Sequence, residues 1–335
     1  MQRRSLGASG SSISVLGYGA WITGADTAGT IDAGSLERAV RAALDAGINW
    51  IDTAEIYASG ASEEIVGRAV RAVRDDVVVV TKVAPGGAGS GMRPADLRAA
   101  IEGSLRRLAT DRVDLYLLHW HDPAVPLEET WGAMTDLVER GHARAVGVSN
   151  FGEGLIRRCL TVGPVHAVQN QLSLLHRQDE ALAARLAHEA IPFLAYGALA
   201  FGLLSGRVTP GSALDPDDWR AGRFARHESN YYEELFAPDR IQDGHRVARQ
   251  LRALAYAAGV PASVLALRWV LERPGVTATV VGSVNPEHIR LNATAGDLRL
   301  DARTSAAIEA ILLQRHGRTD GDGSARGTST ERPPR

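Results

Sequence analysis

The chain has 335 residues, with 37 Lys and Arg against 39 Asp and Glu and a formal net charge of −2. That length fits one large α/β barrel or two ordinary domains, and the balanced charge argues against nucleic acid or a membrane surface as a partner, since either calls for a basic surplus. A single cysteine, Cys159, rules out an internal disulfide, a disulfide scaffold and a zinc finger, and makes a reducing cytoplasm the expected location. No run of about 18 apolar residues is present to span a membrane, and no apolar stretch follows Met1-Gln2-Arg3-Arg4-Ser5 as a secretory signal requires. The 37 basic residues are 36 Arg and one Lys, Lys82. In so Arg-rich a chain, a lone Lys suggests a place where a compact ammonium is needed and a planar guanidinium will not serve.

In chain order, Arg3, Ser5 and Leu6 and then Ile13 to Val15, around Gly7-Ala8-Ser9-Gly10, read as a β-hairpin that would plug a barrel floor. Val15-Leu16-Gly17 opens the strands proper. After it come Ile48-Asn49-Trp50-Ile51, the β-branched run Val77 to Thr81 that leads into Lys82, and Val113 to Leu118. Ala145 to Val148, Val165 to Val168, Ile191 to Ala195 and Thr279 to Val281 complete the set. Helical stripes fill the gaps: Leu36, Val40, Ala43 and Leu44; then Ile65, Ala69 and Val73; then Leu97, Ile101, Leu105 and Leu108. Eight strands alternating with helices imply a parallel sheet. Eight units over about 280 residues favour a closed (β/α)8 TIM barrel over its competitor, a doubly wound sheet.

Two segments break the rhythm. Residues 201–238, after the seventh barrel strand, are rich in Gly, Pro, Asp and Arg with Trp219, Phe224, Tyr231 and Tyr232 among them, the composition of a lid. The tail from His316 to Arg335 is polar and is expected to be disordered, so residues 1–315 form the single domain and 316–335 lie outside it.

In such a barrel the side chains at the C-terminal strand ends converge on one mouth, where the chemistry sits. Here each apolar run ends in a polar residue: Asp52, Lys82, His119, Ser149-Asn150, Gln169, Tyr196 and Gly282-Ser283 in turn. A strand-end Asp or Ser is commonly a helix cap or turn former, but seven such ends form a pattern. An ammonium beside an aspartate is held charged, and a fixed cation lowers the pKa of a nearby phenol. Tyr57 lies five residues beyond Asp52. Paired with Lys82 it becomes a usable general acid–base, while His119 can hydrogen-bond a substrate carbonyl. The set suits proton transfer to an oxygen that is becoming an alkoxide, as in carbonyl reduction.

Other chemistries fit parts of the pattern. Lys82 with Asp and Tyr neighbours could form a Schiff base, as in barrel aldolases. His119-Trp120-His121-Asp122 looks like a metal motif, yet the further His and Asp that a barrel metallohydrolase places at later strand ends are missing, so no metal site is expected. Gly86-Gly87-Ala88-Gly89-Ser90-Gly91 lacks the Gly-Lys-Ser/Thr ending of a phosphate loop, and no G-x-G-x-x-G fits near it or near Gly17-Tyr18-Gly19. Hydride chemistry would therefore use a cofactor held without the Rossmann fingerprint.

With these residues in place, the chain resembles the aldo-keto reductase superfamily over residues 2–313. The matching pieces are Leu16 to Trp21, Asp52-Thr53-Ala54-Glu55-Ile56-Tyr57 with Ser62-Glu63, Thr81-Lys82 and Asp114 to Trp120. They continue with Gly147-Val148-Ser149-Asn150-Phe151, Tyr196 to Gly206 and Gly282 to Glu287. Leu204-Ser205-Gly206-Arg207 is similar to the bacterial general-stress and potassium-channel β-subunit-like branch. The resemblance implies that Tyr57 donates the proton, that Lys82 and Asp52 lower its pKa, and that His119 orients the carbonyl. It implies NADP(H) as cofactor, with NAD(H) also possible. Gly19, Ala20, Trp21 and Asp52 would border the cofactor, Ser149, Asn150 and Gln169 would bind the carboxamide, and Tyr196 would stack on the nicotinamide. The strap Gly197, Ala198, Leu199, Ala200 and Gly202, with Arg207, would hold the pyrophosphate. Gly282, Ser283, Val284, His288 and Asn292 would hold the adenosine end, where a helix start offers N–H groups to phosphate. Trp21, Tyr57, Trp120 and Trp219 would wall the pocket of a small carbonyl substrate.

Two departures accompany the resemblance. Val284 stands where the family often has an Arg on the 2′-phosphate of NADP, with His288 four residues on, and Arg207 or an Arg of the long loop (Arg223, Arg226) could substitute. Gly197-Ala198 replaces the usual Ser-Pro of the strap. The branch also allows a different role, a nucleotide-occupied sensor or regulatory subunit with incidental reductase activity. The oligomeric state stays open.

Overall fold

The computed structural model describes residues 1–23, 33–87, 91–210, 212 and 235–319. Eight parallel strands close a barrel in chain order: β3 (Leu16–Gly19), β4 (Trp50–Asp52), β5 (Val78–Val83), β6 (Leu115–Leu118), β7 (Val146–Ser149), β8 (Val168–Gln171), β9 (Phe193–Tyr196) and β10 (Val276–Val281). The last strand pairs with both β9 and β3. Between and after the strands run α1 (Ala33–Asp45), α2 (Ala61–Val70), α3 (Pro94–Leu108), α4 (Leu127–Glu139), α5 (Glu153–Val162) and α6 (Glu180–His188). Two helices, α7 (Pro238–Ala257) and α8 (Ala262–Leu271), precede β10; α9 (Pro286–Ala293) and α10 (Ala302–Thr319) follow it. The expected (β/α)8 barrel is the fold. Among the described residues no single helix is long and apolar enough to cross a membrane.

Successive strand side chains point to opposite faces, and this period of two builds both the core and the site. Outward residues such as Ile51, Val79, Tyr116 and Val148 join the layer packed on the helices. Inward residues, among them Trp50, Val78, Val80, Leu115, Leu117, Ala167 and Leu194, fill the barrel interior. The hairpin of β1 (Arg3–Ser5) and β2 (Ser12–Ser14) closes one end, sending Leu6 and Ile13 into that same interior cluster. Asn49 ties the plug down: its Oδ1 accepts from the Ser14 N–H at 2.6 Å and its Nδ2 donates to the Ser12 carbonyl at 2.8 Å. The Trp50 indole donates to the Ser14 carbonyl at 2.8 Å. Counting two residues onward from the inward set reaches Asp52, Lys82, His119, Gln169 and Tyr196, which therefore sit on the interior face at the opposite end.

Several expected boundaries move. Lys82 lies within β5 rather than at its end, because the strand continues to Val83. The sixth barrel strand is Val168–Gln171, not Val165 to Val168; its Val-Gln-Asn-Gln sequence is polar because both of its Gln residues face the mouth, so an apolar-run criterion misses it. The stripe through Val73 fails, since α2 stops at Val70, a tight turn with Val73 at φ −133° follows, and Val73 is exposed. The last helix, α10, runs to Thr319, four residues into the expected polar tail, since Arg and Gln sustain a helix as well as apolar residues do. Residues 320–335 of the expected tail and most of the long loop, Trp219, Arg223 and Arg226 included, lie outside the described residues.

A Cβ added at Gly17 of β3 would overlap the indole ring of Trp50. Gly17→Ala is expected to cost about 3 kcal/mol of stability, the upper end for overpacking against a rigid group, and Trp50→Phe in the same chain should return part of it; chemical denaturation of the three variants checks this. A second expectation concerns Asp179 at the head of α6. Burial pushes its carboxyl up to about 6, against the lowering effect of a hydrogen bond from Asn170. A carboxyl with a raised folded-state pKa favours folding at low pH, and that contribution is lost as pH rises from the ordinary Asp value of about 3.9 through about 6. Asp179→Asn should raise the melting temperature at pH 8 by a few degrees, with the gain vanishing at pH 4; an equal shift at both pH values would contradict it.

Candidate active site

At the open mouth, the Lys82 ammonium lies 2.6 Å from Asp52 Oδ1, 2.8 Å from the Thr53 carbonyl and 3.5 Å from the Tyr57 hydroxyl. Register explains the first contact: β4 and β5 are neighbours, with Asp52 opposite Val80, so the inward side chain two residues beyond Val80 reaches back over it. Gln169 Nε2 donates to the second Asp52 oxygen at 2.7 Å, which fixes the carboxylate from across the barrel. Tyr57 follows on a short turn, Tyr57–Gly60, that passes through left-handed backbone at Ala58 and Ser59, φ 49° and 54°. Non-glycine residues in this region are costly and persist where the surroundings impose them, often at functional sites. Behind β5, Glu63 accepts from Thr81 Oγ1 at 2.5 Å and pairs with Arg107 Nε at 2.6 Å, securing the strand that carries Lys82.

All four polar groups are shielded: Asp52, Tyr57, Lys82 and His119 have 4, 8, 1 and 5 % of their surface exposed. Burial draws the Lys82 pKa down, and the Asp52 carboxylate pulls in the opposite direction. His119 is pushed well below the ordinary imidazole value by burial first and by the Lys82 charge second, so the ring is neutral at pH 7. Its Nδ1 is buried without a hydrogen-bond partner. An orphaned N–H is rarer in native structures than an orphaned acceptor, which favours the tautomer with the proton on Nε2. Tyr57 meets the His119 ring edge-on at 5.8 Å, and Trp120 stacks on it at 3.8 Å. Two other tyrosines on barrel strands, Tyr18 and Tyr116, are pushed upward by burial, and neither makes a hydrogen bond to Lys82.

Beside this cluster lies a wall of amides. Asn150, in left-handed backbone at φ 62°, donates to the His119 carbonyl at 3.0 Å and to Ser149 Oγ at 3.2 Å, and accepts from the Tyr196 hydroxyl at 2.6 Å. The segment after Tyr196 holds left-handed backbone at Gly197, Ala200, Phe201 and Gly202, and Phe201 meets Trp21 edge-on at 5.8 Å. Beyond β10, Tyr18 donates to the Ser283 carbonyl at 3.0 Å and Asn285 caps α9 through the Glu287 N–H at 2.9 Å. Val284 is half-buried, His288 is exposed with Nδ1 3.5 Å from Ser283 Oγ, and Asn292 is buried. Gly19 is buried at the end of β3, with Ala20 and Trp21 directly after it, and Arg207 is exposed beyond the strap. Among the described residues no group of three or more His, Cys, Asp and Glu could hold a metal ion.

Thus Asp52, Tyr57, Lys82, His119, Gln169, Asn150 and Tyr196 form one connected cluster, while Trp219 lies outside the described residues. Three participants escaped the sequence reading. The Thr53 carbonyl carries no side-chain signal. Phe201 packs on Trp21 from within a segment read only as a strap. Gln171 is buried, with neither amide atom hydrogen-bonded, and a Cβ at Gly197 would lie 3.1 Å from its Cγ; its position two residues after Gln169, on the same strand face, was the available signal. An unpaired amide beneath the strap, an amide wall beside the Lys82 cluster and a capped helix start beyond β10 together fit an elongated polar ligand such as a dinucleotide.

Residues 15–313 match the model of the aldo/keto reductase family. The aldo-keto reductase YhdN of Bacillus subtilis is 34 % identical over 320 residues, covering 93 % of this chain and 94 % of that protein. Among solved structures, a glycerol dehydrogenase from Gluconobacter oxydans superposes with a TM-score of 0.77 at 30 % identity, covering 91 % of this chain and 93 % of that one. An aldo/keto reductase from Klebsiella pneumoniae, solved with NADP and acetate, superposes with a TM-score of 0.71 at 30 % identity, covering 93 and 96 %.

Because Asp52 and Lys82 are both buried, removing one charge strands the other. Lys82→Met is expected to destabilise the fold by about 3–5 kcal/mol, and the double variant Asp52→Asn/Lys82→Met by much less than the sum of the two singles. Denaturation midpoints of the four proteins give the coupling directly.

Proposed function

The chain belongs to the aldo/keto reductase family, a family of oxidoreductases, and on that premise we propose that it interconverts an aldehyde or ketone and the corresponding alcohol with NADP(H), using Tyr57 as the general acid–base. The observation that carries this reading is the Lys82 ammonium, 2.6 Å from a carboxylate and 3.5 Å from a phenol. In reduction the Tyr57 hydroxyl gives its proton to the carbonyl oxygen as that oxygen gains negative charge. The phenolate left behind faces an ammonium in a low-dielectric site, where the attraction is far stronger than in water. Asp52 neutralises Lys82 in the resting state, so the interior does not hold an isolated charge. His119, neutral with its proton on Nε2, donates a hydrogen bond to the carbonyl and orients it.

The cofactor, when bound, supplies the hydride, and the protein supplies placement and electrostatics. Ser149, Asn150 and Gln169 would hold the carboxamide, and Tyr196, its hydroxyl fixed by Asn150, would present its ring to the nicotinamide. Gly197 to Gly202 with Arg207 would strap the pyrophosphate, and Ser283, Val284, His288 and Asn292 would hold the adenosine end. The NADP in the Klebsiella pneumoniae structure supports that cofactor. Val284 removes a bidentate guanidinium contact to a 2′-phosphate, which leaves NAD(H) as a second cofactor and Arg207 and His288 as candidate partners for that phosphate. Trp21 and Trp120 would wall the substrate pocket.

Purified protein should oxidise NADPH when given small aldehydes. Tyr57→Phe should lose about 10²–10⁴-fold in kcat while NADPH affinity, read by fluorescence, stays within about twofold. A variant with wild-type kcat would remove Tyr57 as the donor. Tight NADPH binding with negligible turnover of every aldehyde would instead mark a nucleotide-occupied sensor.

A further inference from the structure

The backbone at His119 is held on both sides: its N–H donates to the Val83 carbonyl at 2.8 Å and its own carbonyl accepts from Asn150 Nδ2 at 3.0 Å. The ring is held differently. A functional imidazole is ordinarily oriented by a hydrogen bond from its second nitrogen to a carbonyl or carboxylate, and here Nδ1 is buried with no partner at all. The indole of the next residue, Trp120, lies flat against the imidazole instead, with ring centroids 3.8 Å apart and planes 13° from parallel. Tyr57 meets the imidazole at 73°, so the ring sits between an indole face and the Tyr57 phenol.

Consecutive residues of a strand point to opposite faces and cannot stack. His119 and Trp120 do so because β6 ends at Leu118 and the chain bends immediately afterwards. The His119 side chain keeps the inward direction of Leu115 and Leu117, and the half-buried Trp120 folds back over it. A stack constrains the plane of a ring, and the plane contains both nitrogens; with the Cα–Cβ direction of His119 already set by the strand, it holds Nε2 to that plane, a restraint that a hydrogen bond at Nδ1 would otherwise supply.

Resting on the reading of this site as a carbonyl reductase, we infer that Trp120 is a positioning residue for His119, acting through the flat contact between the two rings and not only as a wall of the substrate pocket. The two roles separate experimentally. Steady-state kinetics with NADPH would compare a slim aldehyde, propanal, with a bulky one, 4-nitrobenzaldehyde, for wild type, Trp120→Phe, Trp120→Leu, His119→Gln and the His119→Gln/Trp120→Leu double variant. Misplacing a catalytic group by about 1 Å can lower a rate by about a hundredfold, so Trp120→Leu should lower kcat by about ten- to a hundredfold for both aldehydes, with NADPH affinity unchanged. Trp120→Phe, which keeps a flat ring, should recover most of the loss. In the His119→Gln background, Trp120→Leu should cost nothing further. A rise in KM confined to the bulky aldehyde, or the full kcat loss persisting without His119, would overturn the inference.

A second readout does not depend on turnover. The His119 ring proton resonances should carry an upfield ring-current shift from the indole that disappears in Trp120→Leu and survives, reduced, in Trp120→Phe. Unshifted resonances in the wild type would overturn the stack itself. Were wild type to reduce no aldehyde while the shift was present, the reductase reading would fail and the ring contact would stand.

Discussion

Three N–H donors of one ammonium meet three oxygens: a carboxylate, a main-chain carbonyl and a phenol. The rest of the mouth is arranged around that match. A guanidinium in the same place would carry five donors in a rigid plane, and three convergent oxygens around a single point could not satisfy it. This gives the lone lysine of an otherwise all-arginine chain a physical reason. The ammonium cannot keep its charge in the interior without Asp52, and Asp52 cannot hold one oxygen on Lys82 unless its other oxygen is occupied, which Gln169 does from the far side of the barrel. The geometry around Lys82 therefore depends on β4, β5 and β8 together, strands that only a closed sheet brings face to face.

The barrel serves this arrangement through a single periodicity. Residues two apart share a face, so the interior positions run from the hairpin plug, through Trp50, Val80 and Leu117, to Asp52, Lys82 and His119. Apolar packing below and polar chemistry above are thus consecutive layers of one stack. The plug matters to the chemistry because it fills the far end of the interior; an open floor would admit water beneath the ion pair and weaken every electrostatic contact above it. Gly17 belongs to the same logic, since the missing side chain makes room for the largest ring in the stack.

Most of this architecture was legible in the sequence, because strands buried on both faces read as continuous apolar runs. The element misplaced by three residues, β8, is the one whose residues serve the site most heavily: Gln169 binds Asp52, Gln171 lies under the strap, and Asn170 clamps the main chain of Phe151 at both its N–H and its carbonyl. Function had replaced the hydrophobic signal. Asp52, Lys82 and His119 and their spacing were readable since each sits at or within a residue of a strand end, where position along the chain translates directly into position in space. The amide wall was readable as a set of residues but not as a network: no sequence rule links Tyr196 to Asn150, which are 46 positions apart. Main-chain participants such as the Thr53 carbonyl carry no signature in residue identity, and contacts formed where a strand ends, as between His119 and Trp120, obey no period.

Three tyrosines of the barrel, Tyr18, Tyr116 and Tyr57, show how environment, rather than residue type, sets what a phenol can do. Tyr18 is fully buried and spends its hydroxyl on the Ser283 carbonyl; Tyr116 faces the helices and is fully buried as well. Desolvation penalises the charged form of a phenol and raises the pKa of both, so each would resist giving up a proton. Tyr57 is also shielded, yet it alone has an ammonium at hydrogen-bond range. The same burial that silences the other two strengthens the attraction between a Tyr57 phenolate and Lys82, because a fixed charge acts more strongly where water is excluded. The turn through Ala58 and Ser59, in a backbone region that alanine and serine seldom occupy, follows Tyr57 directly and joins it to α2.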